Sequence, residues 1–345
     1  MLTKTVTGLS KSDKRIRSLI MKYIKLNQTD ITASCVALGT DSIGTYIDEE
    51  KSRAILDKFT ELGGTLIDTA VSYADWEPGE TSRSEKLIGR WMKDRNNRHE
   101  LIIATKGGCP HHTSMHTSRL SREEVNSDMD KSLINLKTDY VDVYFLHRDD
   151  ESKPVEEIAE ILCALVKNGK ARYAGLSNWK PYRIDLFNEY CRNHNLPEAV
   201  TSQIQFGLAR PNLENMEDTL EIMQADSYDY YSKRDMSLFA FTAQSKGYFA
   251  KIDKNLPLSP KAETRYKNEE NDKIYEKLKA LKEEYSPDIA SLTIGILSCN
   301  PNFTTIPIAG CKNTEQVISS MSGADLKIPP EIAENIIKSG LIVHN

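Results

Sequence analysis

Four side chains able to move a proton stand at or just after the ends of short apolar runs. Leu66-Ile67-Asp68 ends in a carboxylate and leads to Tyr73; one later run ends in Lys106 and another in His147. An apolar run that stops at a polar group reads as a buried parallel strand whose C-terminal end faces a functional site. Lys106, once buried, needs a counter-charge, and Asp68 on the neighbouring strand end can supply it. A lysine cation beside a phenol favours the phenolate, so Lys106 is expected to lower the pKa of Tyr73 and make it a usable general acid near neutral pH. His147 can donate a second hydrogen bond to the same substrate oxygen, and together the two donors polarise a carbonyl as it gains negative charge. The reactant still missing is a hydride, which no side chain provides and a nicotinamide cofactor would have to supply. Singly, each residue could equally be structural; their order along the chain carries the inference.

The elements that must position them follow a regular pattern. Residues 22–33 alternate as a small hairpin. Strands are expected at 35–39, 65–68, 101–106, 140–146, 171–176, 200–205, 238–241 and 303–306. Between them lie amphipathic helices at 49–62, 84–92, 121–136, 154–168 and 181–193, with further helices at 273–285, 287–299 and 314–321. A terminal helix begins after Pro329-Pro330. Ser121 and Glu124 form a capping box, and Pro154 and Gly169 bracket the helix between them. Residues 206–237 read as less regular and 251–272 as a charged insertion. Repeated βα units imply a parallel sheet, and eight of them without a compositional break favour a closed (β/α)8 TIM barrel of the α/β class over two Rossmann halves. No GxGxxG occurs, and the Gly39/Gly44 pair lacks the lysine of a phosphate loop. The expected organisation is an N-terminal extension at 1–21, flexible, with Met21 as a candidate start, and one barrel domain at 22–345 with a short N-terminal hairpin and an extra C-terminal helix.

Composition removes several classes. The 345 residues are 39% hydrophobic and 28% charged, with a net charge of −5, which offers no electrostatic footprint for nucleic acid or an anionic membrane. No apolar run approaches the roughly 20 residues that span a bilayer. The six cysteines form no CxxC pair, so they read as reduced thiols of a cytoplasmic protein. Cys109, His111, His112 and His116 share a loop after Lys106, but their spacing fits no zinc template, and no metal is expected.

With these residues in place, the sequence resembles the aldo-keto reductase superfamily from about residue 30 to 322. The motifs are Gly39-Thr40, Gly63-Gly64-Thr65-Leu66-Ile67-Asp68-Thr69-Ala70 with Tyr73, Ser84-Glu85-Lys86-Leu87-Ile88-Gly89, Ala104-Thr105-Lys106, and Asp139 through His147. Gly169 through Asn178 and Ile306-Pro307 continue it. The resemblance implies reduction of an aldehyde or ketone, a small-molecule substrate, by NADPH, with NADH as the other possibility. Tyr73 would be the proton donor, Lys106 and Asp68 its tuning pair, and His147 the substrate-orienting donor. Ser177, Asn178 and Gln203 would bind the nicotinamide carboxamide, Gly39, Thr40 and Asp41 would line the nicotinamide and its ribose, and Phe241 would stack on the ring. Thr242, Gln244, Lys246 and Gly247 would wrap the pyrophosphate. Gly310, Lys312 and Gln316 would meet the adenosine end, where Ser319-Ser320 stands in place of the family's Glu-Asn pair. On the substrate side, Trp76 and Trp179 are candidates to line the mouth; Arg148-Asp149-Asp150 reads as a self-paired loop, with an anionic substrate as the alternative partner of Arg148. Two alternatives are a nucleotide-binding regulatory barrel with little turnover and a Schiff-base aldolase using Lys106.

Overall fold

The computed structural model describes residues 21–286 and 288–343; apart from Met21, the expected N-terminal extension lies outside them. Strands β1 (Tyr23–Lys25) and β2 (Thr32–Ser34) pair antiparallel as the expected hairpin. Its Leu26, Ile31 and Ala33 join the same buried cluster as Ala37, Leu66, Phe145 and Ile306. The hairpin therefore adds apolar surface to the barrel interior.

The barrel strands are β3 (Ala37–Gly39), β4 (Leu66–Asp68), β5 (Ile102–Gly107), β6 (Val141–Leu146), β7 (Ala171–Ser177), β8 (Ala199–Gln205), β9 (Ser237–Phe241) and β10 (Thr305–Gly310). All pair parallel in chain order, and β10 closes onto β3. Every residue of β6 is buried, as a strand covered on both faces requires. Val143 and Phe145 turn into the barrel, while Tyr144 and Leu146 pack under the helical layer. Phe145 meets Phe239 edge-on at 5.4 Å between centroids. Gly175 makes room for it: a Cβ there would lie 2.5 Å from the Phe145 ring.

Helices α1 (Glu49–Glu61), α2 (Arg83–Arg95), α3 (Arg122–Leu136), α4 (Val155–Lys167) and α5 (Pro181–Asn193) cover the first half. Asp48 caps α1, accepting from Lys51 N, and Ile55, Leu56 and Phe59 form its buried stripe. The Ser121–Glu124 capping box is present. In the second half lie α6 (Ala225–Ser232), α7 (Tyr248–Asp253), α8 (Pro260–Tyr266), α9 (Glu269–Tyr285), α10 (Ile289–Ser298), α11 (Thr314–Ser322) and α12 (Pro330–Gly340).

Three expectations need correction. Helix α6 occupies the stretch read as irregular, because Tyr228 and Tyr231 bury their rings against Phe303 at 5.0 and 5.8 Å. The helix expected at 273 starts four residues earlier, at Glu269 of α9, capped by Asn268, and α8, capped by Ser259, lies within the charged insertion. The last barrel strand is Thr305–Gly310 rather than 303–306, with Pro307 paired in register with Ala240. Phe303 belongs to the aromatic cluster, not to the strand.

Candidate active site

The C-terminal ends of β4, β5 and β6 bring Asp68, Tyr73, Lys106 and His147 together. Lys106, fully buried on β5, donates from Nζ to Asp68 Oδ2 at 2.7 Å, Thr69 O at 2.7 Å and Tyr73 Oη at 3.0 Å. Gln203, at the end of β8, donates from Nε2 to the other carboxylate oxygen, Asp68 Oδ1, at 2.8 Å. His147 lies across from Tyr73, ring centroids 6.0 Å apart at 65°. Asp68 thus has both oxygens engaged, which a buried carboxylate needs.

A shell of buried polar groups fixes these strand ends. Thr40 donates through both N and Oγ1 to Asp68 O. Ser84 Oγ in turn donates to Thr40 and lies 3.2 Å from Thr69 Oγ1. Glu85, also buried, accepts from Thr105 Oγ1 at 2.6 Å and Asn135 Nδ2 at 3.0 Å, tying α2 to β5 and α3. The sequence places Glu85 in a helical first turn, where a carboxylate suits the dipole; its burial against Thr105 and Asn135 was not legible.

Burial dominates the electrostatics. It pushes the Asp68 carboxyl up and the Lys106 ammonium down, each toward neutrality, and the contact between them opposes both shifts. Tyr73 corrects an expectation. Burial first, then the charges of Asp68 and Asp41, push its phenol well above the usual value. The contact with Lys106 does not bring it below the usual value in the resting site, although the Tyr73 ring keeps part of its surface open. His147 is pulled well below the ordinary imidazole range by burial and by the Arg148 and Lys106 charges. It is neutral at neutral pH, and its Nδ1 is buried without a hydrogen-bond partner.

Residues 36–338 match the aldo/keto reductase family. The chain belongs to that family. It is 32% identical over 180 residues to an aldo-keto reductase of Bacillus subtilis (YhdN), covering 51% of this chain and 53% of that protein. It is 33% identical over 183 residues to L-glyceraldehyde 3-phosphate reductase of Escherichia coli, covering 52% of each. It is also 26% identical over 336 residues to a probable voltage-gated potassium channel subunit beta of Oryza sativa subsp. japonica, covering 92% and 95%. Against the first two, this aldo-keto reductase spans about half the relative's length.

The other candidate residues ring the same barrel end. Ser177 and Asn178 close β7, both buried. Asn178 takes a left-handed φ of 59°, donates to His147 O at 3.2 Å and accepts from Glu221 N at 3.1 Å. At Gly39 a Cβ would lie 2.8 Å from Ile308, so the seam between β3 and β10 has no room for a side chain. Asp41 is exposed, hydrogen-bonded by Ser42. Phe241 ends β9, half-buried. After it, Thr242, Ser245, Lys246 and Gly247 all have positive φ, between 48° and 78°. Lys246 meets no carboxylate among the described residues; crowding and the nearby Lys261 and Arg265 charges pull its ammonium down, though its side chain stays exposed. Gln244 donates to Ala290 O and Ser320 Oγ, each at 3.2 Å. At Gly310 nothing lies within 4 Å of a Cβ position, Lys312 is exposed, and Gln316 accepts from Lys312 N at 2.8 Å.

Trp76 and Trp179 separate. Trp76 is exposed and meets Tyr73 edge-on at 6.2 Å. Trp179 does not reach the mouth: it is fully buried, packed on Phe187 at 5.8 Å and under the Arg183 guanidinium at 5.2 Å. The left-handed turn at Asn178 reverses the chain and sends the next side chain into the helical layer. Among the described residues, no group of three or more His, Cys, Asp or Glu is placed to hold a metal, and no helix is long and apolar enough to cross a membrane.

Proposed function

We propose that this chain is an NADPH-dependent carbonyl reductase in which Tyr73 gives the proton. The observation that carries this is the contact of Lys106 Nζ with Tyr73 Oη at 3.0 Å while the same ammonium is held by Asp68 at 2.7 Å. Lys106 donates in that contact, so the phenolic hydrogen is left for a substrate oxygen. A raised phenol pKa keeps Tyr73 protonated at neutral pH, as a proton donor must be before it acts. Once the proton leaves, Lys106 stands where the new phenolate charge appears and stabilises it. Neutral His147, beside Tyr73, orients the carbonyl without adding a competing charge.

The barrel end fits a dinucleotide. The positive φ of Thr242, Ser245, Lys246 and Gly247 favours a turn of the kind that meets phosphate oxygens, with Lys246 as an uncommitted cation beside it. Ser177 and Asn178 would hold the carboxamide, Gly39, Thr40 and Asp41 the adjoining ribose, and Phe241 the ring face. Gln203 already bonds Asp68, so its role here is to hold that carboxylate and to border the ring. Gly310, Lys312 and Gln316 would meet the adenosine end, with Lys312 supporting NADPH over NADH. When bound, such a coenzyme supplies the hydride.

The test is consumption of NADPH with a panel of short, sugar-like and bulky aldehydes and ketones, in parallel with NADPH binding followed by fluorescence. Turnover well above background with at least one carbonyl supports the reading. Tight NADPH binding with no turnover on any carbonyl would instead favour a regulatory barrel, the reading that the likeness to a channel β subunit keeps in view.

A further inference from the structure

Beside the proton-transfer residues lies a cleft of about 260 Å³, walled by residues that include Pro110, Met115, Arg148, Asn178, Lys180 and Glu221. Its wall includes neither Tyr73 nor His147, but two of its residues bond the His147 backbone. Arg148 Nη1 and Asn178 Nδ2 both donate to His147 O, at 2.8 and 3.2 Å. The volume is at the low end for small-molecule pockets, suiting a short chain.

Arg148 is the odd group in this wall. Its Nε is buried with no hydrogen-bond partner, and it forms no ion pair among the described residues. Other partly buried arginines are matched with acids: Arg98 with Asp142, Arg119 with Asp128, Arg183 with Asp149 and Arg265 with Glu217. Arg83 and Arg210 likewise lack a carboxylate, bond backbone carbonyls and bury an unpartnered Nε, but neither lines the cleft. The two acids that follow Arg148 are already engaged. Asp149 takes two bonds from Arg183 at 2.8 Å, and Asp150 accepts from Ser152 N and Oγ.

The remaining charges do not cancel it. Glu151 is held by Lys180 at 2.7 Å, and Asp218 lies 3.7 Å from His116. Burial pushes Glu221 up to about 7, so much of its population is neutral at neutral pH. Of the cleft's arginine and lysine side chains, Arg148 and Lys180, only Arg148 has no acid beside it. A guanidinium offers a planar fork that matches a carboxylate or phosphate with two parallel hydrogen bonds. Left unpaired and crowded by protein, it gains most from an incoming anion.

We propose that Arg148 recognises an anionic group, carboxylate or phosphate, borne by the carbonyl substrate a few bonds from the reacting carbon. The inference deepens the carbonyl-reductase reading and rests on it. Anchoring the anion at Arg148 fixes the distance to His147, so the carbonyl is delivered to Tyr73 in one orientation.

The experiment compares 4-oxobutanoate and 4-oxobutyl phosphate with uncharged butanal, using wild type, Arg148→Gln and Arg148→Lys with NADPH. Wild type should prefer at least one anionic aldehyde over butanal in kcat/KM. Arg148→Gln should lower the anionic-to-neutral ratio by about tenfold or more, chiefly through KM, and Arg148→Lys should restore part of it. The two anionic arms separate carboxylate from phosphate recognition. Equal losses on charged and neutral aldehydes, or no wild-type preference for either anion, would overturn the proposal. If no carbonyl is reduced, the reductase reading fails, and the site is still tested by chemical modification. Phenylglyoxal labelling of Arg148, mapped by mass spectrometry, should be slowed by 4-hydroxybutanoate and not by butanol. Equal labelling with either compound counts against an anion site.

Discussion

Lys106→Met tests whether the buried pair is ionised in the resting site. Lys106 has no exposed surface, and its ammonium makes contacts of 2.7, 2.7 and 3.0 Å. Methionine keeps much of the stem and removes the charge. Asp68 then retains only the Gln203 bond, on its other oxygen, at 2.8 Å. Leaving one member of a buried ion pair uncompensated costs about 3–5 kcal/mol, a large share of the roughly 5–15 kcal/mol that holds a typical domain together. Adding Asp68→Asn removes the orphaned charge, and neutral replacement of both members of such a pair is often close to neutral in stability. The single variant should therefore lose about 3 kcal/mol or more, and the double variant should recover at least about half of that. Urea unfolding followed by far-UV circular dichroism, with midpoints and slopes compared, measures both. Identical midpoints for Lys106→Met and the double variant would mean that Asp68 carries no charge needing compensation. The basis for Lys106 as a cation supporting Tyr73 would then be gone.

Tyr73→Phe should lower kcat by at least ~100-fold, the low end for losing a general acid, with NADPH affinity little changed by fluorescence titration. Lys246→Met should weaken NADPH binding by about tenfold in the same titration, the scale of one charge-assisted hydrogen bond. His147 predicts a pH dependence of stability. Its folded pKa is depressed, so the stability it contributes is complete above the unfolded value near ~6.5 and is lost as pH falls toward the folded value. One such group removes about 1 kcal/mol between pH ~6.5 and ~5.5. Urea midpoints for His147→Gln should fall less than those of wild type over that interval, and parallel curves would exclude His147 as the source.

The barrel was legible because its buried strands are short apolar runs set off by amphipathic helices, and β6 is the clearest example. The meeting of these side chains at one barrel end was legible because strand ends announce themselves where apolar side chains give way to Asp68, Lys106 and His147. What escaped depends on tertiary contact. The bond from Gln203 to Asp68 joins residues 135 apart, and nothing local marks it. Tyr228, Tyr230 and Tyr231 favour strands by propensity, yet two of them are buried on a helix because Phe303 and Phe206 wait on the other side. Trp179 was placed at the mouth by its position after Ser177-Asn178, and the backbone turn at Asn178 sends it the other way.

The charge arrangement explains why Tyr73, rather than its neighbours, is suited to change protonation. Asp68, Lys106 and His147 are all buried, and burial disfavours any change that leaves one of them newly charged without a partner. Asp68 and Lys106 already satisfy each other, with Gln203 and Thr69 taking up remaining bonds. His147 is held neutral. Tyr73 alone among the four keeps an open side, facing Trp76 and solvent, and its oxygen already accepts from a cation. A proton lost there creates a negative charge beside a positive one instead of an isolated charge in protein. The shell of Thr40, Ser84 and Glu85 then acts indirectly, by holding the strand ends on which that 3.0 Å contact depends. On the proposed reading, loosening it should weaken catalysis before it weakens binding, because the proposed coenzyme contacts are spread around the barrel while the proposed proton path runs through one oxygen.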